Sequence, residues 1–497
     1  MSYAALESHF RRLSHFEELG EIVNWDQAVN MPPSAGPRRA EAMASLSRLV
    51  HDLVADPRVG EWLAVAQREG ELSPWQRANL QEIWKKHTRA TALPADLVEA
   101  TTQACHLSEQ AWRRYRAENN FTSYAPYLKT VIERQRSCAG ALAEKLGLNP
   151  YDALMDGFEP GMNSAAVDQA FSPLRAFLPQ FIDEVIEQQK SQPFIEPQGP
   201  FPVEQQRKLA RRMMEVSGLD MTRARIDESH HPFCGGVPSD VRITNRYRED
   251  EFLAGLMGVL HESGHGKYEQ GLPEEYQSQP VGRALGMVMH ESQSLLQEMQ
   301  VSRGADFIGF LASEIANFFP EQVARLPQAY RADNLLRLQT RVKKGFIRVS
   351  ADEVTYPAHV MVRYDLERDL IAQRLEVDDL PEAWDQKMQQ YLGLRTLGND
   401  RDGCLQDVHW PMGAFGYFPL YTLGAMVSAQ LFATAKGALP DLSRHIAQGD
   451  LKPLNAWLNA QVWSKGRSLN FEEILRHSTG QPLNPEFFMR HLQVRYG

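Results

Sequence analysis

The chain has 497 residues, which is enough to bury a large hydrophobic core. It carries 53 Lys and Arg residues against 63 Asp and Glu residues, a formal net charge of −10. Because polyanions are bound by basic surfaces, this acidic balance argues against nucleic acid as a partner.

The sequence predicts a cytoplasmic protein with no membrane partner. Glu7, Arg11 and Arg12 interrupt the stretch in which a secretory signal needs an unbroken apolar run. No later segment approaches the roughly 18 to 20 consecutive apolar residues that a membrane helix requires. The four cysteines are isolated from one another, which favours reduced thiols over a disulfide framework.

Helical periodicity begins with the first residues. Apolar side chains recur every three or four residues from Leu6 to Val23, the spacing of one face of an amphipathic helix. The segment 30–39 then interrupts this pattern with three prolines and a glycine, and the pattern resumes from Met43 to Val54. Two antiparallel helices are therefore expected at the N-terminus.

A proline-rich stretch is the best candidate for a boundary within the chain. The stretch is the segment 191–204, and its prolines exclude regular helix. It divides the sequence into an N-terminal helical half at 1–190 and a second helical half at 205–497, with 191–204 as the connector. We expect the two halves to form one continuous body. Farther on, Val241 and Ile243 alternate with polar residues, as in a strand. The predicted fold class is mainly α with a small β element.

The most informative motif is HESGH at 261–265, an H-E-x-x-H pattern. Apolar residues upstream follow helical spacing, so His261 and His265 are expected on neighbouring turns of one helix. Two imidazoles at i and i+4 can each direct one nitrogen at a single metal ion, while Glu262 reaches a metal-bound water. The pattern arises by chance in only roughly a few sequences per hundred.

A third ligand is needed, because catalytic zinc generally takes three protein ligands and keeps one position open. Glu291 in HESQS is the favoured candidate, and His290 beside it is the competing ligand. Glu298 lies seven residues after Glu291, on the same face of a predicted helix, where it can support a ligand by hydrogen bonding. We expect one divalent ion per chain, zinc being favoured, although these ligand types also suit cobalt or manganese.

These motifs resemble those of the thermostable metallocarboxypeptidase (carboxypeptidase Taq) family. The similar segments are NWDQAVNMP at 24–32, HPF at 231–233, DVRIT at 240–244, HESGH at 261–265, HESQS at 290–294, IRVSAD at 347–352 and GCLQDVHW at 403–410. They extend over nearly the whole chain. The resemblance implies a single large helical body with a deep substrate groove and the β element near the active site, a zinc-dependent release of C-terminal residues, and a homodimer.

The expected reaction is hydrolysis of the last peptide bond of a short peptide by a metal-bound water. His261, His265 and Glu291 would hold the ion. Glu262 would take the proton of the attacking water and deliver it to the leaving amine, which requires a carboxylate that does not bind the metal.

Two further residues are candidates to stabilise the negative charge that develops on the carbonyl oxygen. His409 and Tyr417 lie in a glycine-containing segment that suits a loop beside a groove. The helical zinc peptidases that this family resembles commonly use a His and a Tyr in this role. The alternative is that both residues only pack in the core beside Trp410.

A carboxypeptidase must also bind the terminal carboxylate of its substrate. Arg348 precedes an S-x-x-E pattern at 350–353, which predicts a helix start whose free N–H groups lie beside the arginine. The alternative is that Arg348 pairs with Asp352 and only stabilises that helix start. The other candidates to contact the substrate are Arg242, Arg401 and His231.

Two other functions remain open at this point. An oligoendopeptidase or a dipeptidyl carboxypeptidase would use the same metal site and differ in how the groove ends. A helical peptide-binding scaffold would hold a structural metal, but Glu262 argues against it because structural zinc has no use for a general base. Amidation of the substrate's C-terminus would distinguish the first alternative from a carboxypeptidase.

Overall fold

The computed structural model describes residues 2–497, and most of these residues are helical. The helices before the sheet are α1 (Ser2–Val29), α2 (Gly36–Val54), α3 (Pro57–Ala66), α4 (Pro74–Ala92), α5 (Ala95–Ala117), α6 (Phe121–Leu146), α7 (Pro150–Met155), α8 (Ser164–Gln189) and α9 (Val203–Ser217). The first helix ends where the sequence predicted, and the chain then turns so that α1 and α2 pack together. None of the helices in residues 2–497 combines the length and the apolar composition that a membrane crossing requires.

A second series of helices follows the sheet. They are α10 (Leu253–Gln270), α11 (Met287–Leu295), α12 (Ala305–Phe318), α13 (Pro320–Arg325), α14 (Ala332–Gln339), α15 (Tyr356–Ile371), α16 (Leu380–Leu392), α17 (Phe418–Ala438), α18 (Leu442–Ala447), α19 (Lys452–Gln461), α20 (Phe471–Thr479) and α21 (Glu486–Tyr496). The prediction of a mainly α fold with a small β element is confirmed.

The β element is a three-stranded sheet behind α10. Strand β3 (Asp240–Asn245) pairs in parallel with β1 (Ala224–Glu228) and antiparallel with β2 (Cys234–Val237). The predicted strand is present, and Val241 and Ile243 are fully buried. The predicted polar face is not exposed, however, because Thr244 is fully buried as well and Arg242 is half-buried. The side chains of Val241 and Ile243 face Gly266, where an added Cβ would lie 3.0 Å from Val241 and 3.6 Å from Ile243. The sheet therefore supports the helix that carries the HESGH motif.

The proline-rich connector contains no regular helix before α9, which begins within its last two residues. Helix α8 ends at Gln189 and α9 begins at Val203, as expected for a segment in which prolines remove backbone donors. One hydrophobic cluster nevertheless includes buried residues from both sides of the connector, among them Phe171 and Met257. Residues before and after the connector therefore pack in the same hydrophobic cluster, and several helices of the candidate site contribute to it.

Candidate active site

The HESGH motif lies on α10, which packs closely against α11. A Cβ at Gly264 would lie 2.4 Å from the carbonyl oxygen of Gln293 and 2.5 Å from Cα of Ser294. Only glycine permits this approach, because any side chain at that position would overlap the backbone of α11. The close packing brings the two histidines of α10 near the carboxylate of α11.

Three donor atoms converge between these helices. Nε2 of His261 lies 3.9 Å and Nε2 of His265 lies 3.5 Å from Oε2 of Glu291, and the three donors fall within 4.8 Å of one another. Around a tetrahedral ion about 2.1 Å from each ligand, neighbouring donors would be about 3.4 Å apart. Two imidazoles and one carboxylate at these distances fit a divalent ion.

Each of the two histidines is held at its other ring nitrogen. Nδ1 of His261 lies 3.0 Å from Oε2 of Glu298, and Nδ1 of His265 lies 2.6 Å from Nδ1 of His290. His290 in turn contacts Glu269 through Nε2, at 2.8 Å. Such partners fix the orientation of an imidazole and leave the opposite nitrogen for a metal. His290, the competing ligand in the sequence, thus lies behind His265.

Glu298, which contacts His261, lies in a segment where the helix type changes after α11. Residues Leu296–Ser302 form a π-helix, a rare conformation that often occurs at functional sites. Arg303, directly after this segment, donates a hydrogen bond to Glu298 at 2.7 Å. The sequence pattern assumed regular α-helix through this region, so it predicted the face of Glu298 but not the change of helix type.

Glu262 lies beside the donors without belonging to the set of three. Its side chain is 8% exposed. Burial raises the pKa of Glu262 to about 7, against the opposing effect of the neighbouring His261. A carboxyl in this environment can accept a proton and release it near neutral pH.

An arginine pair encloses one carboxylate near the donors. Asp407 lies 2.8 Å from Nη2 of Arg348 and 2.6 Å from Nη2 of Arg363, and the two arginine side chains are 5% and 0% exposed. Burial opposes ionisation of Asp407, yet Arg363 and Arg348 hold its pKa well below the usual range. These two guanidinium groups and one carboxylate together carry one net positive charge.

A cavity of about 340 Å³ joins this charge to the donor atoms. Its wall includes His261, Glu291, Arg348, Tyr356 and Tyr421. The hydroxyl of Tyr356 accepts a hydrogen bond from Nη1 of Arg348 at 2.7 Å. A small ligand in this cavity can therefore contact both the donor set and a buried guanidinium group.

His409 and Tyr417 lie at the two ends of one loop, with ring centroids 5.5 Å apart. Burial lowers the pKa of His409 to about 4, so its imidazole is neutral at pH 7. Burial also raises the pKa of Tyr417, which keeps its phenol protonated. Both side chains thus carry a hydrogen that can be donated to a developing oxyanion.

Comparison with known proteins identifies the family to which the chain belongs. A model of the Carboxypeptidase Taq (M32) metallopeptidase family matches residues 5–496. The chain belongs to this family. Thermostable carboxypeptidase 1 of Thermus thermophilus is 36% identical to it over 509 residues, which cover 100% of this chain and 98% of that protein. Carboxypeptidase 1 of Bacillus subtilis is 31% identical, over 98% of this chain and 96% of that protein.

Solved structures give the same assignment. Metallocarboxypeptidase 1 of Trypanosoma cruzi aligns with a TM-score of 0.97 at 41% identity, over 100% of this chain and 99% of that one. An M32 carboxypeptidase of Deinococcus radiodurans aligns with a TM-score of 0.93 at 33% identity, over 100% and 99% of the two chains. The protein is a metal-dependent carboxypeptidase, as its motifs predicted.

The helix start predicted beside Arg348 is wrong for this M32 chain. Residues Arg348–Ser350 form a short 3₁₀ turn, and α15 begins only at Tyr356. Glu353 is 8% exposed and accepts hydrogen bonds from Tyr496 at 2.8 Å and His491 at 2.9 Å. Its carboxylate therefore anchors the C-terminal helix α21 and does not cap a helix at Ser350.

Asp352 is not the partner of Arg348 either. Its carboxylate accepts backbone hydrogen bonds from Val354 at 3.1 Å and Thr355 at 3.0 Å, which stabilises the approach to α15. The alternative reading of Arg348 as an ion pair with Asp352 is thus wrong, because Asp407 takes that place.

The remaining predicted contacts lie away from the cavity. Arg242 pairs with Asp240 at 2.7 Å and stacks on Trp25 at 4.2 Å. Arg401 is exposed and pairs with Asp402 at 3.3 Å. His231 is exposed in the turn before β2. None of Arg242, Arg401 and His231 lines the 340 Å³ cavity described above.

Sequence reasoning missed three side chains of this region, namely Tyr356, Arg363 and Tyr421. Tyr421 follows Tyr417 by one helical turn on α17, and their rings lie 5.2 Å apart. That i to i+4 spacing was a usable signal. Arg363 is on α15, far from Asp407 in sequence, so no local pattern points to their contact.

Proposed function

We propose that this carboxypeptidase removes single C-terminal amino acids from short peptides, with one zinc ion held by His261, His265 and Glu291. The observation that carries the proposal is the convergence of two imidazoles and one carboxylate within 4.8 Å, with a further carboxylate beside them. When bound, the ion polarises the substrate carbonyl and lowers the pKa of a water molecule. Zinc suits this ligand set, which cobalt and manganese also accept.

Glu262 is the general base and then the general acid of the proposed reaction. It takes the proton of the attacking water and delivers it to the leaving amine. Its burial, at 8% exposed, supports this role because a desolvated carboxyl binds a proton more readily than one in water.

His409 and Tyr417 are proposed to donate hydrogen bonds to the carbonyl oxygen as it gains negative charge. Neutral imidazole and protonated phenol each keep one donor at neutral pH. A buried donor is worth more here than in water, because little solvent competes for the oxyanion.

Arg348 is proposed to bind the terminal carboxylate of the substrate. The support is the single net positive charge of the two arginines and Asp407, which an anionic ligand would neutralise. Arg242 and Arg401 are less suited, since each is already paired one to one with an aspartate. This requirement for a free carboxylate gives the protein its preference for chain ends.

We also infer a homodimer and a cytoplasmic location. The family resemblance supports the dimer. Four cysteines without a disulfide, Cys105, Cys138, Cys234 and Cys404, are consistent with a reducing compartment.

The test is mass spectrometry of one short peptide and its C-terminal amide, each incubated with zinc-loaded protein. Stepwise loss from the free peptide and none from the amide is expected. Glu262→Gln should bind zinc normally and lose roughly 10²- to 10⁴-fold in turnover, whereas Glu274→Gln, at an 83% exposed side chain, is the matched control. Internal cleavage of both peptides would assign an endopeptidase, and no cleavage by zinc-bound protein would assign a scaffold.

A further inference from the structure

One buried carboxylate holds both ends of the loop that carries His409 and Tyr417. Glu367 of α15 is fully buried. It accepts hydrogen bonds from Nε1 of Trp410 at 2.8 Å and from the backbone N–H of Gly416 at 3.1 Å. Trp410 directly follows His409, and Gly416 directly precedes Tyr417. The two candidate oxyanion donors are therefore attached to the same carboxylate through their chain neighbours.

The conformation of Gly416 depends on its lack of a side chain. Its φ is +86°, and an added Cβ would lie 2.8 Å from the backbone of Met155 at the end of α7. The same helix supplies a third donor to Glu367, the hydroxyl of Tyr151 at 2.9 Å. Because all three donors are neutral groups and the carboxylate has no access to water, loss of any one of them is costly.

Helix α15 also holds the start of the loop. Arg363, one turn before Glu367, donates from Nε to Asp407 at 2.6 Å. Along one face of α15, Arg363 thus binds the first residue of the segment 407–417 and Glu367 binds two later residues. Two side chains of one helix therefore hold the loop at its start and near its end.

The imidazole of His409 has little else to orient it. Its Nδ1 is buried and has no hydrogen-bond partner within residues 2–497. The ring packs against Phe418, with centroids 4.5 Å apart, and against Tyr417. A ring held by packing follows its backbone, so the position of the loop decides where the imidazole lies.

We propose that Glu367 is a positioning residue for catalysis, which sets the places of His409 and Tyr417 by joining Trp410 to Gly416. The proposal rests on the oxyanion role given to His409 and Tyr417 above. A shift of about 1 Å in such groups costs on the order of 10²-fold in rate. Glu367 touches neither the donor set nor Arg348, so its loss should lower kcat while KM and zinc binding stay nearly unchanged.

The test compares three zinc-loaded variants with the wild type. Glu367→Gln keeps the shape but replaces one acceptor oxygen with a donor, and kcat should fall on the order of 10²-fold. Trp410→Phe removes the indole N–H that donates to Glu367 together with part of the ring that packs on Phe415, and kcat should fall about tenfold. Tyr364→Phe is the matched control, because its hydroxyl lies on the same helix but bonds Ser164 and Asp168 at 3.1 Å. Its kcat should stay at the wild-type value.

Hydrogen exchange of the segment 408–418 supplies a measurement that does not depend on turnover. Exchange should accelerate in Glu367→Gln and Trp410→Phe and not in Tyr364→Phe. If Glu367→Gln and Trp410→Phe keep the wild-type exchange rate or the wild-type kcat, the proposal is overturned. It is also overturned if Tyr364→Phe loses as much kcat as they do. If the wild type itself cleaves no peptide, the proposed function fails, and unchanged exchange would then refute the role of Glu367 separately.

Discussion

Replacing Arg348 with methionine tests whether the two arginines around Asp407 recognise the terminal carboxylate. The variant leaves Arg363 and Asp407 as a neutral pair, so the buried charge falls from one to zero. Methionine keeps most of the side-chain volume and leaves no new cavity of large size. The perturbation is therefore chiefly electrostatic.

The hydrogen bonds of Arg348 give the size of the effect. A guanidinium group has five N–H donors. Nε and Nη2 each donate to Asp407, and Nη1 donates to Tyr356. Two N–H groups remain for a ligand. At about 1.5 kcal/mol for each hydrogen bond to a charged group, their loss is worth about 3 kcal/mol, or roughly 150-fold in affinity.

The assay is competitive inhibition by an uncleaved dipeptide and by its C-terminal amide. The ratio of the two inhibition constants isolates the carboxylate, because damage to the fold or to metal binding affects both ligands equally. The ratio should fall about 150-fold towards unity in Arg348→Met. Arg242→Met and Arg401→Met should leave it unchanged. A preserved ratio in Arg348→Met, or a collapse in either of the others, would refute the assignment.

Three further predictions concern the metal site and the core. Gly264→Ala puts a Cβ 2.4 Å from a backbone oxygen of α11. The free energy of unfolding should therefore fall by about 1–3 kcal/mol, and zinc should bind more weakly in a competition titration. An unchanged zinc affinity would contradict the argument that the two helices need this close packing. Glu298→Gln should weaken zinc binding roughly 10- to 100-fold, and an unchanged affinity would remove its supporting role. Burial lowers the pKa of His359 from 6.5 to about 3. As the pH falls below 6.5, the imidazole therefore binds a proton in the unfolded chain but not in the folded chain. The free energy of unfolding should therefore be about 2 kcal/mol lower at pH 5 than at pH 8 because of this group. Urea unfolding of His359→Gln should show a smaller decrease between these pH values, whereas the exposed control His51→Gln should show the wild-type decrease.

The parts of the site that could be predicted are those that local spacing determines. His261, Glu262 and His265 lie within one helical turn and a half, so a helix alone sets their relations. Glu291 required only that a second amphipathic helix return beside the first. Strand β3 was visible because Val241 and Ile243 alternate with polar residues, although the structure also buries Thr244.

The rest depends on contacts between distant segments. Nothing in the neighbourhood of Asp407 indicates that Arg363 and Arg348 meet there, because those contacts exist only after α15 packs beside the loop. The capping pattern at 350–353 failed for the same reason. Glu353 could have capped a helix locally, but the C-terminal residues His491 and Tyr496 compete for it in the folded protein.

Helix α17 contacts both groups of helices that position the candidate site, namely the pair α10 and α11, and α15. Helices α10 and α11 hold the metal donors, whereas α15 holds Arg348, through Asp407, and the loop that ends at Tyr417. Helix α17 begins directly after Tyr417. Farther along it, a Cβ at Gly424 would lie 3.0 Å from the side chain of Glu291. Because helices are stiff over this length, this close contact relates the position of Tyr417 to that of the candidate metal ligand Glu291. A side chain at position 424 would therefore have to displace the side chain of Glu291 by a few tenths of an ångström, which would shift the candidate metal ligand relative to Tyr417.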